Sequence, residues 1–180
     1  MDPVARLVEE HETILAVAEL ARRQAVAIQR GEPVKAAKVG KILDFIRTFA
    51  DAYHHGKEEN LLFVRMEQRG FSRQVGPLAV MLVEHEQGRQ FVRQAAAALD
   101  AAAAGNAEAC GAVAAGLSGW AELIQGHIEK ENHVLYPMAQ GVLSQEEFRL
   151  LGEEFERFEA GHPEGTAWRS WVLSGELAAE

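Results

Sequence analysis

The chain has one cysteine, Cys110, in 180 residues. A single thiol forms no internal disulfide and builds no zinc cage of several thiolates; Cys110 reads as a small packing residue. Cationic side chains are also short: 18 Lys and Arg against 27 Asp and Glu leave a formal net charge of −9. That sign repels phosphate backbones, so nucleic acid is not an expected partner. No apolar run approaches the ~18 residues a membrane span requires, so no membrane contact is expected. The opening MDPVARLVEEHETIL is acidic where a secretory leader would be basic and then apolar, which makes a cytoplasmic protein the expectation. No segment alternates with period 2, so no sheet is predicted. Dinucleotide-binding glycines and DNA-binding elements are missing too, so any electrons would come from a protein donor.

What is present is helical. The chain is long enough for a domain that buries roughly 70% of its extended surface. Asp2-Pro3 opens a helix with a capping carboxylate and proline at its first position. An apolar 3–4 spacing through Val4, Leu7, Ile14 and Ala18 carries it to about Arg30. Gly31-Glu32-Pro33 ends it, and a second helix is predicted over 33–68. Gly70, Gly76 and Pro77 punctuate the next connection, and a third helix follows over 77–104. Gly105-Asn106 breaks it ahead of a fourth over 107–140. Ser144 and Glu147 form a capping box that starts a fifth helix running to about Ala160. Beyond it, Trp168 and Trp171 are expected to dock the tail on the body. The fold class is therefore all-α: an up-down-up-down four-helix bundle over 1–141, with an additional C-terminal helix and tail over 142–180 packed on it.

Each of the four long helices places a histidine on its core stripe: His11, His54, His85 and His127. Helices two and four add a glutamate at i+4, Glu58 and Glu131, nearly above the histidine at about 100° per residue. HHGKEENLLF and HIEKENHVLY share the pattern H-x-x-K-E-x-x-x-L-aromatic. A lone buried histidine is commonly a hydrogen-bonded core residue. Two buried carboxylates need a cation, however, and Lys57 and Lys130 point about 100° away from Glu58 and Glu131, which makes them poor buried partners. A metal satisfies all six groups. Imidazole and carboxylate suit iron, manganese, zinc or copper. Six ligands fit two ions, each with two histidines, bridged by Glu58 and Glu131 and left with room for solvent and a small exogenous ligand.

Around these six, His55 is expected at the rim with Glu59, about 100° from His54. Tyr53 and Tyr136 flank the two motifs, as packing residues or as hydroxyls bonded to a ligand. Arg89 could approach Glu58, Glu131 or a bound anion. Glu10, Glu84 and Glu86 read mostly as surface residues, one of which could orient an imidazole.

Taken together, the early EEH ending at His11, HHGKEENLLF, EHEQGR around His85 and HIEKENHVLYP resemble the hemerythrin-like, or HHE cation-binding, family over roughly residues 4–140. The resemblance implies a four-helix bundle with His11, His54, Glu58, His85, His127 and Glu131 as ligands. It implies two non-haem iron ions bridged by carboxylates and by an oxo or hydroxo group, with zinc or manganese as alternatives in isolated protein. Oxygen carriers of the family have a second third-helix histidine where this chain has Arg89, and an aspartate where it has Asn132; Glu131 serves instead. Those departures imply binding or processing of O2, peroxide or nitric oxide, as in an oxidoreductase, rather than reversible O2 carriage. The alternatives are a non-catalytic iron module for storage, donation or sensing, and a scaffold that uses its C-terminal extension as a contact surface.

Overall fold

The computed structural model describes residues 2–174; residue 1 of the expected segment 1–141 and residues 175–180 of the expected segment 142–180 lie outside the described residues. Among the described residues the chain is all-helical, with no strand. Helix α1 spans Pro3–Gln29, and the Asp2 side chain accepts from the Val4 N–H at 2.8 Å. The second long rod begins as α2 (Ala36–Phe45), continues through the wider turns of Ile46–His55 and Glu58–Leu62, and ends as α3 (Phe63–Gln68). Then come α4 (Pro77–Ala103) and α5 (Ala107–Lys130). The fourth rod runs on through Glu131–Leu135 into α6 (Tyr136–Val142). The Ser144–Glu147 capping box is formed and opens α7 (Gln145–Ala160), which α8 (Glu164–Leu173) follows.

Two apolar cores fix the directions of the rods. One contains Leu7, Phe63, Leu78 and Leu135; the other contains Ile14, Phe49, Val92 and Leu117. The start of α1, the end of the second rod, the start of α4 and the end of the fourth rod share the first core, so the rods run up, down, up and down. The histidine–glutamate layer lies between the cores: His11 follows Leu7 and precedes Ile14, and His85 follows Met81 and precedes Val92.

Close packing of α4 on α5 is set by small residues. A Cβ on Gly116 would lie 2.7 Å from the Phe91 carbonyl oxygen and 2.8 Å from the Ala95 Cβ, whereas one on Gly126 would meet nothing within 4 Å. The same substitution should therefore have opposite signs at the two sites. Gly126→Ala gains helix propensity of up to ~1 kcal/mol. Gly116→Ala gains the same propensity but must move backbone, which costs about 1–3 kcal/mol. Denaturant midpoints of the two variants check this; equal shifts would refute the close approach.

Helices α7 and α8 cover one side of the bundle. Phe155 enters the first core, and Gly56 leaves space for the Phe158 ring, 3.0 Å from where a Cβ would stand. Trp168 and Trp171 dock as their apolar character leads one to expect. The Trp168 indole meets Phe45 edge-on and donates to Thr48 Oγ1 at 2.8 Å, and Trp171 is buried.

Candidate metal centre

All six stripe residues converge in the layer between the cores and are buried. Together with His55 they form two groups, each with ligand atoms within 4.8 Å of one another. His11, His54 and Glu131 make one; His55, Glu58, His85 and His127 make the other. His55 is thus inside the layer and not at its rim. Consecutive residues of the second rod serve neighbouring groups because the rod faces both. The backbone here is π-helical, and its wider turn brings successive side chains closer in direction than the 100° of an α-helix allows. The same local widening carries both carboxylates: the Phe63 N–H reaches back five residues to the Glu58 carbonyl, and the Tyr136 N–H to the Glu131 carbonyl.

Every imidazole is held from behind by an oxygen. His11 Nδ1 donates to Asn132 Oδ1 at 2.9 Å, His54 to Glu10 at 2.8 Å, His85 to Glu59 at 2.7 Å and His127 to Glu84 at 2.8 Å. His55 Nδ1 donates to Asp51 at 3.3 Å. Each acceptor holds a proton on Nδ1 and turns Nε2 inward, the orientation a metal ligand requires. Burial holds the His54 pKa down at about 4 and pushes His55 well below the usual imidazole range, so both rings are neutral.

The inward atoms face one another, and several lack partners. His11 and His54 bring their Nε2 atoms to 3.1 Å, as do His85 and His127. Glu58 Oε2, both Glu131 oxygens and His55 Nε2 are buried with no hydrogen bond. Both carboxylates reach both groups. Glu131 Oε2 is 3.2 Å from His11 Nε2 while its Oε1 is 3.0 Å from His127 Nε2, close approaches without hydrogen-bond alignment. Glu58 Oε2 lies 3.5 Å from His85 Nε2 and 3.9 Å from His54 Nε2. Burial and the Glu131 charge push the Glu58 carboxyl well above the usual range. Burial opposes ionisation of Glu131 too, but the His127 ring outweighs it and holds that carboxyl well below. Converging lone pairs and orphaned carboxylate oxygens are satisfied together by cations, so the residues fit a metal centre.

The remaining sequence candidates fall in different layers. Tyr136 reaches the centre: its hydroxyl donates to Glu58 Oε1 at 2.8 Å and stands 3.3 Å from His11 Nε2. Tyr53 does not; among the described residues no hydrogen bond joins it to the centre, and its ring lies 4.1 Å below the Lys57 ammonium. Arg89 also misses Glu58 and Glu131. It binds Asp51 at 2.7 Å and Glu59 at 2.7 Å, the carboxylates that hold His55 and His85. Glu10 and Glu84 are not surface residues but imidazole partners; Glu86 is the exposed one, paired with Arg93.

The two lysines turn away from Glu58 and Glu131, as helical spacing leads one to expect, and find other carboxylates. Lys57 is fully buried, and its ammonium binds Glu10, the acceptor for His54. Lys130 likewise binds Glu84, the acceptor for His127. The repeated H-x-x-K therefore places a histidine and a lysine, three residues apart on one face, on the same carboxylate of a neighbouring helix. Neither lysine serves the glutamate beside it.

Fold and site together define a four-helix bundle whose buried histidines and carboxylates form metal-binding clusters. The chain belongs to the hemerythrin HHE cation binding domain family, which matches residues 2–139. The uncharacterized proteins Mb2018 of Mycobacterium bovis and Rv1995 of Mycobacterium tuberculosis are each 27% identical over 150 residues, which cover 83% of this chain. The chain spans 58% of the length of these curated relatives. No solved structure matches. No helix among the described residues is long and apolar enough to cross a membrane.

Proposed function

We propose that this protein is a non-haem di-iron protein that binds or processes a small oxidant: O2, peroxide or nitric oxide. The carrying observation is the pair of buried carboxylates, each reaching imidazole nitrogens of both groups, an arrangement suited to bridging two ions. Oxygen and nitrogen donors without a thiolate are compatible with iron. Two bridged irons would supply redox and Lewis-acid chemistry toward such a ligand. The protein's own part is to keep His54 and His55 neutral, hold the ring Nδ1 atoms against outward-lying oxygens and leave the Tyr136 hydroxyl as a donor within the layer. Burial and the nearby Glu131 charge hold the Tyr136 phenol well above its usual range, so it stays protonated. A cavity of about 170 Å³, lined by Ile46, Ala50, Val92 and Trp120 and by the charged Arg47, Asp51, Arg89 and Arg93, also borders His55 and His85; that space suits a small molecule.

The test is metal content by plasma emission after anaerobic loading with ferrous iron. Two irons per chain are expected, and one zinc or none would refute the reading. His55→Ala should reduce the content toward one iron, because His55 is a member of only one group; an unchanged content would remove His55 from the ligand set. Addition of peroxide then separates the functions. Sustained O2 evolution that is lost in His54→Ala and Glu131→Ala supports processing. Bleaching with stoichiometric release of iron points instead to a store or donor.

A further inference from the structure

The two halves of the centre differ in what stands behind them. Glu84 is gripped by His127 and Lys130, and the Lys130 side chain is 43% exposed. Glu10 is fully buried and has a third donor: Arg169 Nη2, from α8, at 2.6 Å. Lys57 extends the same network to Glu159 of α7 at 3.1 Å, and Glu159 also binds Arg6 at 3.1 Å. Both C-terminal helices lie beyond the matched residues 2–139, yet they reach the carboxylate that orients His54. The seat of α8 is tight, since a Cβ on Gly165 would stand 2.6 Å from the Tyr53 ring.

We propose that Arg169 is a positioning residue for the metal centre, acting through Glu10 on His54, so that α8 tunes one half of the centre and not the other. This rests on the reading that His54 ligates a metal. Arg169 and Lys57 bind Glu10 Oε1, whereas His54 donates to Oε2. Each cation on Oε1 draws charge from the carboxylate and weakens its pull on the His54 proton. Without Arg169, Glu10 accepts more strongly, and the imidazole becomes a better donor to metal. Displacing α8 has the same effect without altering any charge.

The full chain loaded with zinc, which is diamagnetic, provides a readout independent of activity. In Arg169→Gln the His54 Nδ1–H proton resonance should move downfield, and Arg169→Lys should restore it. Gly165→Val, which pushes α8 away from Tyr53, should move the same resonance in the same direction. The His127 resonance should stay in place in all three. The iron-loaded Arg169→Gln protein should have a more negative reduction potential. The Arg169 side chain is 32% exposed, so its replacement leaves the fold standing. An unmoved His54 resonance in Arg169→Gln overturns the proposal, as does an equal movement of His127, which would mean general loosening. Failure of the wild-type chain to bind zinc or iron overturns the metal reading itself, and this inference with it.

Discussion

Stripping the metal from the folded protein should lower its thermal midpoint by about 8–16 °C. A ligand present at a thousand times its dissociation constant stabilises by about 4 kcal/mol, and each kcal/mol is worth about 2–4 °C in a chain of this size. The difference should also depend on pH in a stated direction. In the metal-free protein, burial disfavours a charged His127 ring, but Glu131 at 3.0 Å and Glu84 at 2.8 Å outweigh it and hold its pKa up at about 9. A group raised from 6.5 to about 9 contributes stability that is full below pH 6.5 and lost as pH rises through 9. Glu58, raised by burial and by the Glu131 charge, acts in the same direction. The stripped protein therefore weakens between pH 6.5 and 9. Metal binding requires the opposite states, a neutral His127 and an ionised Glu58, so affinity rises over that window. Calorimetry of loaded and stripped protein should show their midpoints moving apart from pH 6.5 to 9. A constant or narrowing gap would mean that these two groups do not meet the metal.

The elements were legible because the chain marks its own helix ends. Asp2-Pro3, Gly31, Gly105 and the Ser144–Glu147 box are local signals, and each acts where it stands. The six stripe residues were legible through helical spacing alone, which is why the structure brings them into one layer. His55 was not, because α geometry turns it about 100° from His54 and toward the rim. The turns over Ile46–His55 and Glu58–Leu62 are wider, and no residue type announces them. The imidazole partners were hidden for a different reason. Glu10 and His54 are 44 residues apart, and Glu84 and His127 are 43 apart; such pairings depend on helix register across the bundle, which one-dimensional spacing does not carry. Lys57 and Lys130 are an intermediate case. Their recurrence three residues after a stripe histidine is visible in both motifs, but spacing along one helix relates each only to the adjacent glutamate.

Replacing Lys57 with methionine should destabilise the protein by about 3–5 kcal/mol, because it removes one partner of a fully buried ion pair. At this chain length that is about 6–20 °C in thermal midpoint. Methionine keeps most of the stem that passes the Tyr53 and Phe155 rings, so little of the loss should come from packing. What is lost is the cation between Glu10 and Glu159, whose carboxylates it joins. Arg169 remains on Glu10 and Arg6 on Glu159, which favours the lower end of the range. The double variant Lys57→Met/Glu10→Gln should recover part of the loss: the neutral amide needs no cation, and its oxygen can still accept from His54. That recovery, read as a coupling energy in a double-mutant cycle, separates the ion pair from the bulk of the side chain. Lys130→Met provides the contrast. Lys130 occupies the same place in the second copy of the motif, but its side chain is 43% exposed, and water replaces most of what its ammonium supplies. Its loss should cost less than about 1 kcal/mol. Equal costs at Lys57 and Lys130 would mean that the motif, and not the burial imposed by α7 and α8, sets the energy of these contacts.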